Sequence, residues 1–181
     1  MTGIRLVPIG SVDQNLLSWL GLTLGECFDI TCEVEGVAIP PDFAYQVARQ
    51  QYHSTALLKA LKDYRAASHR VLGVAEVDLF IPILTFVFGE AQLNGRAALI
   101  SACRLRQEYY GLPADDRLLY QRSEKEAIHE LGHTFGLVHC QEWDCVMHVS
   151  NAVEQVDLKS NGFCPDCLSS LETALKALPT D

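Results

Sequence analysis

Eleven consecutive residues constrain this chain more than any others: His129-Glu130-Leu131-Gly132-His133-Thr134-Phe135-Gly136-Leu137-Val138-His139. On a helix, side chains four positions apart leave from nearly the same face, so His129 and His133 can reach one metal ion. Zinc is the usual guest of such a pair. Glu130 falls beside the metal, where a carboxylate can serve as general base toward a zinc-bound water. A third ligand six residues past His133 would be at the wrong angle if the helix simply continued. Gly136 removes the difficulty, because glycine can leave a helix through a left-handed turn and bring His139 back. Three neutral imidazoles would leave zinc its full charge and an open position, the pattern of a catalytic site. Chance on an amphipathic helix explains a bare His-Glu-x-x-His far more easily than this extended form.

A second group of ligand type follows at once. Cys140 and Cys145 precede a longer interval and then Cys164-Pro165-Asp166-Cys167. Four thiolates close a tetrahedron and exclude water, so zinc here would be structural. The roughly forty residues beyond His139 are too few for a core of their own. A tetrathiolate zinc can contribute on the order of 10 kcal/mol to holding such a segment. Leu168, Leu171, Leu175 and Leu178 form a helical stripe there, ended by Pro179. A redox role for Cys164 and Cys167 lacks the βαβ setting such pairs use. Of the remaining cysteines, Cys27, Cys32 and Cys103, the last two fall in apolar surroundings and read as buried thiols.

The extended histidine motif is that of metzincin metalloproteases, which also carry a downstream methionine turn. Met147 follows His139 by eight residues. The run His139-Cys140, Cys145-Val146-Met147 and Cys164-Pro165-Asp166-Cys167 is something most metzincins lack, and with it the chain resembles the archaemetzincin family. The resemblance is densest over 129–167 and extends more weakly through Leu84 to Ala91. It implies an α/β (α+β) fold with a mixed twisted sheet, an antiparallel edge strand, helices packed on the sheet, an active-site helix and a small zinc-stapled C-terminal lobe. One catalytic domain would cover 1–181, with an N-terminal lobe to 139 and a C-terminal lobe from 140. Met147 would form a hydrophobic floor beneath the imidazoles. Phe86, Val87, Phe88, Gly89 and Glu90 would be the edge strand above the cleft, where free N–H and C=O groups bind an extended peptide. Val149 stands where some metzincins carry a tyrosine that assists the oxyanion.

Composition narrows the alternatives. At 181 residues with 49% apolar content, the chain suits one domain with a substantial core. No apolar run approaches the roughly 18 residues that would span a bilayer. The start, Met1 to Leu6, lacks the long apolar segment of a signal peptide, so a cytoplasmic location is expected. A net charge of -9 argues against nucleic acid or an anionic membrane as partner. The expected function is a zinc metallopeptidase holding two Zn2+, one catalytic and one structural, with a peptide or protein as substrate. The alternative is a catalytically silent protein that binds zinc and peptide on the same frame. A nucleic-acid-binding zinc module is a third, opposed by the charge. The oligomeric state is left open.

Elsewhere the pattern predicts a strand over Ile4–Ile9, then a helix capped by Ser11 with Gln14 and ending near Gly21. Phe28 to Glu35 alternates as a half-buried strand, and residues 43–67 read as mainly helical, with Leu57, Leu58, Leu61 and Tyr64 as the apolar stripe. Ser54 is a candidate cap; His53 and His69 read as surface or capping residues. Val71–Leu79, Thr85–Ala91 and Ala97–Leu105 read as strands. The motif helix is expected from about Leu118 or Ser123 to Leu137, with Ser123 and Glu126 as a capping box and Ile128, Leu131 and Phe135 on its buried side.

Overall fold

Ile4 and Leu6 face one side of strand β1 (Gly3–Ile9), Val7 and Ile9 the other, and all four are fully buried. A strand apolar on both faces belongs in a sheet covered on both sides. The computed structural model describes residues 3–62, 64 and 70–177; His69, Leu178 and Pro179 lie outside the described residues. After β1 come α1 (Gln14–Phe28), β2 (Thr31–Val34), the short strands β3 (Tyr45–Gln46) and β4 (Gln51–His53), and α2 (Ser54–Lys62). Then follow β5 (Arg70–Ala75), β6 (Leu79–Phe80), β7 (Gly89–Ala91), β8 (Ala97–Ser101), α3 (Asp116–Thr134), α4 (Val153–Leu158) and α5 (Pro165–Lys176). The main sheet has the order β2-β1-β5-β8-β7. Its first four strands are parallel and β7 runs antiparallel at the edge, the mixed sheet expected. The strands β3, β4 and β6 form a separate small sheet.

Helices α1 and α3 cover one face with Leu16, Leu20, Leu24, Ile128 and Leu131, while α2 covers the other with Leu57, Leu58 and Leu61. Val153, Val156 and Leu171 from the C-terminal segment join the same buried cluster as α1 and α3. That segment is also tied to α3 by polar bonds. Arg122 makes two 2.7 Å bonds to Asp157, and Lys125 Nζ donates to Val156 O at 3.0 Å.

Several boundaries differ from the sequence pattern, each for a tertiary reason. Helix α1 runs past Gly21 to Phe28, and Asp13, not Ser11, caps it by accepting from Asn15 N at 2.9 Å. Each interior glycine costs about 1 kcal/mol of helix propensity, which the burial of Leu24 and Phe28 outweighs. The strand after it is therefore only Thr31–Val34. Within 43–67 only α2 is helical among the described residues; Tyr45 and Tyr52 instead pair across β3 and β4 with ring centroids 5.0 Å apart. His53 acts as a cap, its Nδ1 accepting from Ala56 N at 3.2 Å, while Ser54 turns its hydroxyl to Glu90. The expected strand over Val71–Leu79 divides into β5 and β6, and Ala97–Leu105 ends in a 3-10 turn at Cys103–Leu105. In the C-terminal stripe Leu171 is buried and Leu175 half-buried, whereas Leu168 is exposed.

Candidate active site

Helix α3 begins at Asp116 and is capped by Asp115, whose carboxylate accepts from Leu118 N at 2.9 Å. Ser123 and Glu126, expected as a capping box, lie instead in its buried middle. Ile128, Leu131 and Phe135 pack inward as predicted, and Phe135 stacks on Phe28 with centroids 5.3 Å apart. The helix stops at Thr134, three residues short of the expected end. A neighbouring turn explains part of this: Asn94 N, between β7 and β8, donates to His133 O at 2.8 Å and satisfies a terminal carbonyl. Gly136 then takes φ +92, the left-handed conformation that returns the chain. The result brings His139 to ring-centroid distances of 5.3 Å from His129 and 5.0 Å from His133.

The donor set fits a zinc ion. His129 Nδ1 lies 2.8 Å from Val146 O and His133 Nδ1 2.7 Å from Leu137 O. A carbonyl can only accept, so both Nδ1 atoms carry the proton and both Nε2 atoms present lone pairs. Those two Nε2 atoms stand 3.2 Å apart, and two acceptors at that distance need a cation between them. Tetrahedral zinc with Zn–N near 2.0–2.1 Å requires about 3.3 Å. Burial lowers the pKa of all three imidazoles, and the Lys159 ammonium adds to it, keeping them neutral as ligands must be.

Glu130 is not part of that triad; it sits next to it. Its carboxylate packs against the backbone of β7, where a Cβ at Gly89 would meet Glu130 Cγ at 2.6 Å. Only glycine leaves room there. Without a cation, burial raises the Glu130 pKa well above the usual range and the Glu126 charge adds to this, while Lys159 opposes it. Glu126 lies one turn before Glu130 on the same helix. Its Oε1 pairs with Lys159 Nζ at 2.9 Å, both side chains nearly inaccessible to solvent. Lys159 also donates to His148 O at 3.3 Å.

The triad opens into a cleft of about 300 Å3. Residues 84–89 form one wall, and Val149, Ser150 and Asn151 the other, with Glu126, Glu130, His129 and His139 at the base. Of the five residues expected as an edge strand, only Gly89 and Glu90 lie in β7, which is shorter and displaced toward Ala91. Phe86, Val87, Phe88 and Gly89 line the cleft, but Glu90 does not. Strand alternation turns its carboxylate to the opposite face, onto the hydroxyls of Ser54 and Thr55. Phe88 and Phe86 pack edge to face, 5.1 Å apart.

Directly after His139 the four cysteines converge, their sulfur atoms all within 4.8 Å of one another. Cys140 Sγ and Cys164 Sγ are 3.7 Å apart, close to the about 3.8 Å that four Zn–S bonds of 2.3 Å require. Backbone N–H groups of Glu142 and Cys164 donate to Cys140 Sγ and Cys145 Sγ, bonds suited to thiolates. Met147 is fully buried against α3, and a Cβ at Gly132 would come within 2.5 Å of its Sδ.

Comparison with known proteins agrees with this geometry. Residues 36–173 match peptidase family M54. The archaemetzincin of Methanocaldococcus jannaschii is 45% identical over 169 residues, covering 93% of this chain and 92% of the relative. The chain belongs to peptidase family M54, the archaemetzincins. Among solved structures, archaemetzincin from Methanopyrus kandleri superposes with a TM-score of 0.83 at 36% identity, covering 97% and 96% of the two chains. A zinc-dependent peptidase from Methanocorpusculum labreanum gives 0.84 at 28% identity, covering 93% and 100%. The family is one of zinc metallopeptidases, so this chain is a hydrolase acting on peptide or protein. No helix among the described residues is long and apolar enough to cross a membrane.

Sequence reasoning missed the Glu126–Lys159 pair, the Asn94 bond to the helix end and the contact of Gly89 with Glu130. Glu126 did leave a signal: a carboxylate four residues before Glu130, on the helix side that carries His129 and His133. Lys159 left none, because it is far from Glu126 in the chain and looks like any surface lysine.

Proposed function

We propose that the chain hydrolyses peptide bonds by general acid–base catalysis through Glu130, with zinc on His129, His133 and His139 and a second, structural zinc on Cys140, Cys145, Cys164 and Cys167. Zinc bound by three imidazoles supplies Lewis acidity and lowers the pKa of water toward 7. Glu130 accepts the proton of the attacking water and passes it to the leaving amine. Residues 86–89, the segment that leads into β7, hold the substrate extended, and the buried base of the cleft keeps bulk water from the reacting carbonyl. The Nδ1 bonds to Val146 O and Leu137 O orient two of the imidazoles. Met147 supports the helix from beneath at Gly132.

The observation that carries this reading is the place of Glu130: buried in the cleft base, beside the three imidazoles yet outside their cluster. A site that only binds metal has no use for a carboxylate there. The test is a peptide-library digest followed by mass spectrometry, comparing zinc-loaded native protein with Glu130→Gln. Glu130→Gln should retain both metals and lose roughly 10²–10⁴-fold in rate. Equal cleavage by the two proteins, or none by the native one, would give the site to the binding alternative.

A further inference from the structure

We propose a second substrate subsite, in the cavity beside the β3–β4–β6 sheet, for an apolar and preferably aromatic side chain on the carboxyl side of the cut bond. Its occupant rests on the peptidase reading above. The cavity measures about 480 Å3, larger than the cleft itself. Phe80 is buried at its base, and Phe43, Tyr45 and Pro82 contribute apolar walls. The Arg49 guanidinium lies 4.2 Å over the Phe80 ring, and the His53 ring meets it edge-on at 5.3 Å. Of its lining side chains Phe43 is 59% exposed, and Tyr45 is also open to solvent. Apolar surface gathered around a concavity, rather than scattered, marks a binding site.

Continuity with the cleft identifies the occupant. Arg49 Nη2 donates to Leu84 O at 2.9 Å and to Thr85 O at 3.0 Å, and both residues line the catalytic cleft. Arg49 is therefore a wall of one cavity and the brace of the other. No carboxylate pairs with Arg49 among the described residues. Arg49 Nε donates to Gln51 Oε1 at 3.0 Å in the guanidinium plane, which leaves the face turned away from Phe80 to an incoming ring. β7 runs from Gly89 to Ala91, and a peptide added antiparallel to it runs from Ala91 toward Gly89 and on toward Leu84. With Glu130 packed at Gly89, the reacting bond lies there, and the residues after it pass Leu84 toward Pro82 and Phe80. At roughly 3.3 Å per extended residue, a few residues beyond the bond suffice. A ring arriving there joins the aromatic group of Phe80, Tyr45 and Phe43. A second copy of this chain would need a broad flat face, whereas this feature is a hollow sharing a wall with the active site.

The test uses fluorescein-labelled decapeptides of alanine and serine in which one phenylalanine is moved through every position. Affinity is measured by anisotropy on zinc-loaded Glu130→Gln, and the cut position is read by mass spectrometry with native protein. A phenylalanine several residues after the cut bond should tighten binding about tenfold. That gain should vanish in Glu130→Gln carrying Phe43→Ser or Tyr45→Ser, while gains at other positions persist. Both substitutions are at exposed side chains, and unchanged melting temperature and zinc content confirm an intact fold. No gain at any such position, or a gain that survives both substitutions, overturns the subsite. So does a native dimer that Phe43→Ser separates, which would give the hollow to a second copy. Cleavage without the positional gain sinks the subsite and leaves the peptidase reading standing. A Phe43-dependent gain with no cleavage by native protein does the reverse, leaving a peptide-binding hollow beside a silent site.

Discussion

The histidine cluster and the cysteine cluster adjoin at His139-Cys140, yet they are built in opposite ways. Two of the histidines stand on one rigid helix, and their Nδ1 atoms are pinned by main-chain carbonyls. The cysteines sit at the ends of loops and at the start of α5, with backbone N–H groups aimed at sulfur. One cluster has three donors and faces a cleft; the other has four donors that enclose the space between them. The closed cluster also sets a part of the open one. Val146 O, which orients His129, follows Cys145 directly, and Met147 O accepts from Cys140 N at 3.0 Å. In the proposed two-zinc arrangement, an ion on the cysteines holds His129 in place without touching it, by fixing the peptide group that the imidazole leans on.

The largest expected effect breaks the closed cluster. Cys164→Ser or Cys167→Ser should abolish binding of one metal ion and remove up to about 10 kcal/mol of metal-coupled folding energy. Thermal melting and limited proteolysis should then show a lower transition and cleavage beyond residue 140. An unchanged melt would mean that these thiols are incidental. The next effect probes the buried link between the regions. Lys159→Met leaves Glu126 charged and alone in the interior, which costs about 3–5 kcal/mol, and adding Glu126→Gln should restore most of it. Denaturant unfolding of the zinc-loaded variants measures both, and an additive double variant would show the two groups to be independent.

Lability should separate the two ions as well. A mild chelator should remove one ion quickly, together with activity, and the second slowly, together with the fold, because the three-donor site is reachable from the cleft. Loss of both in one step would erase the distinction. The smallest effect concerns the thiols outside either cluster. Burial pushes Cys27 up to about 11, Cys32 to about 12 and Cys103 to about 11. Only the thiolate is alkylated, and at pH 8 a thiol of pKa 11 is roughly 0.1% ionised. Iodoacetamide should therefore label all three slowly at pH 8 in zinc-loaded protein, and faster as pH rises toward those values. Rapid labelling at pH 8 would place these thiols in solvent.

Much of the site was legible because its parts are local. A spacing of four on a helix, a glycine at the exit and a pair of Cys-containing turns are geometric statements that hold before any tertiary contact forms. The mixed sheet with its antiparallel edge followed from the resemblance, and strand β1 from its short apolar run. Element ends were less legible. α1 outran Gly21 because Leu24 and Phe28 had a sheet to pack on, and a propensity cost near 1 kcal/mol cannot resist such burial.

By itself, then, the sequence determined which atoms could hold metal, which carboxylate stood beside them and which family the chain resembled. Only the tertiary structure decided that Glu90 faces Ser54 and Thr55 instead of the cleft, since a strand shifted by a few residues changes which side chains point where. It alone paired Lys159 with Glu126 and placed Asn94 on the end of α3. These contacts join residues distant in the chain, so no local pattern encodes them; they exist only once the fold has brought the partners together.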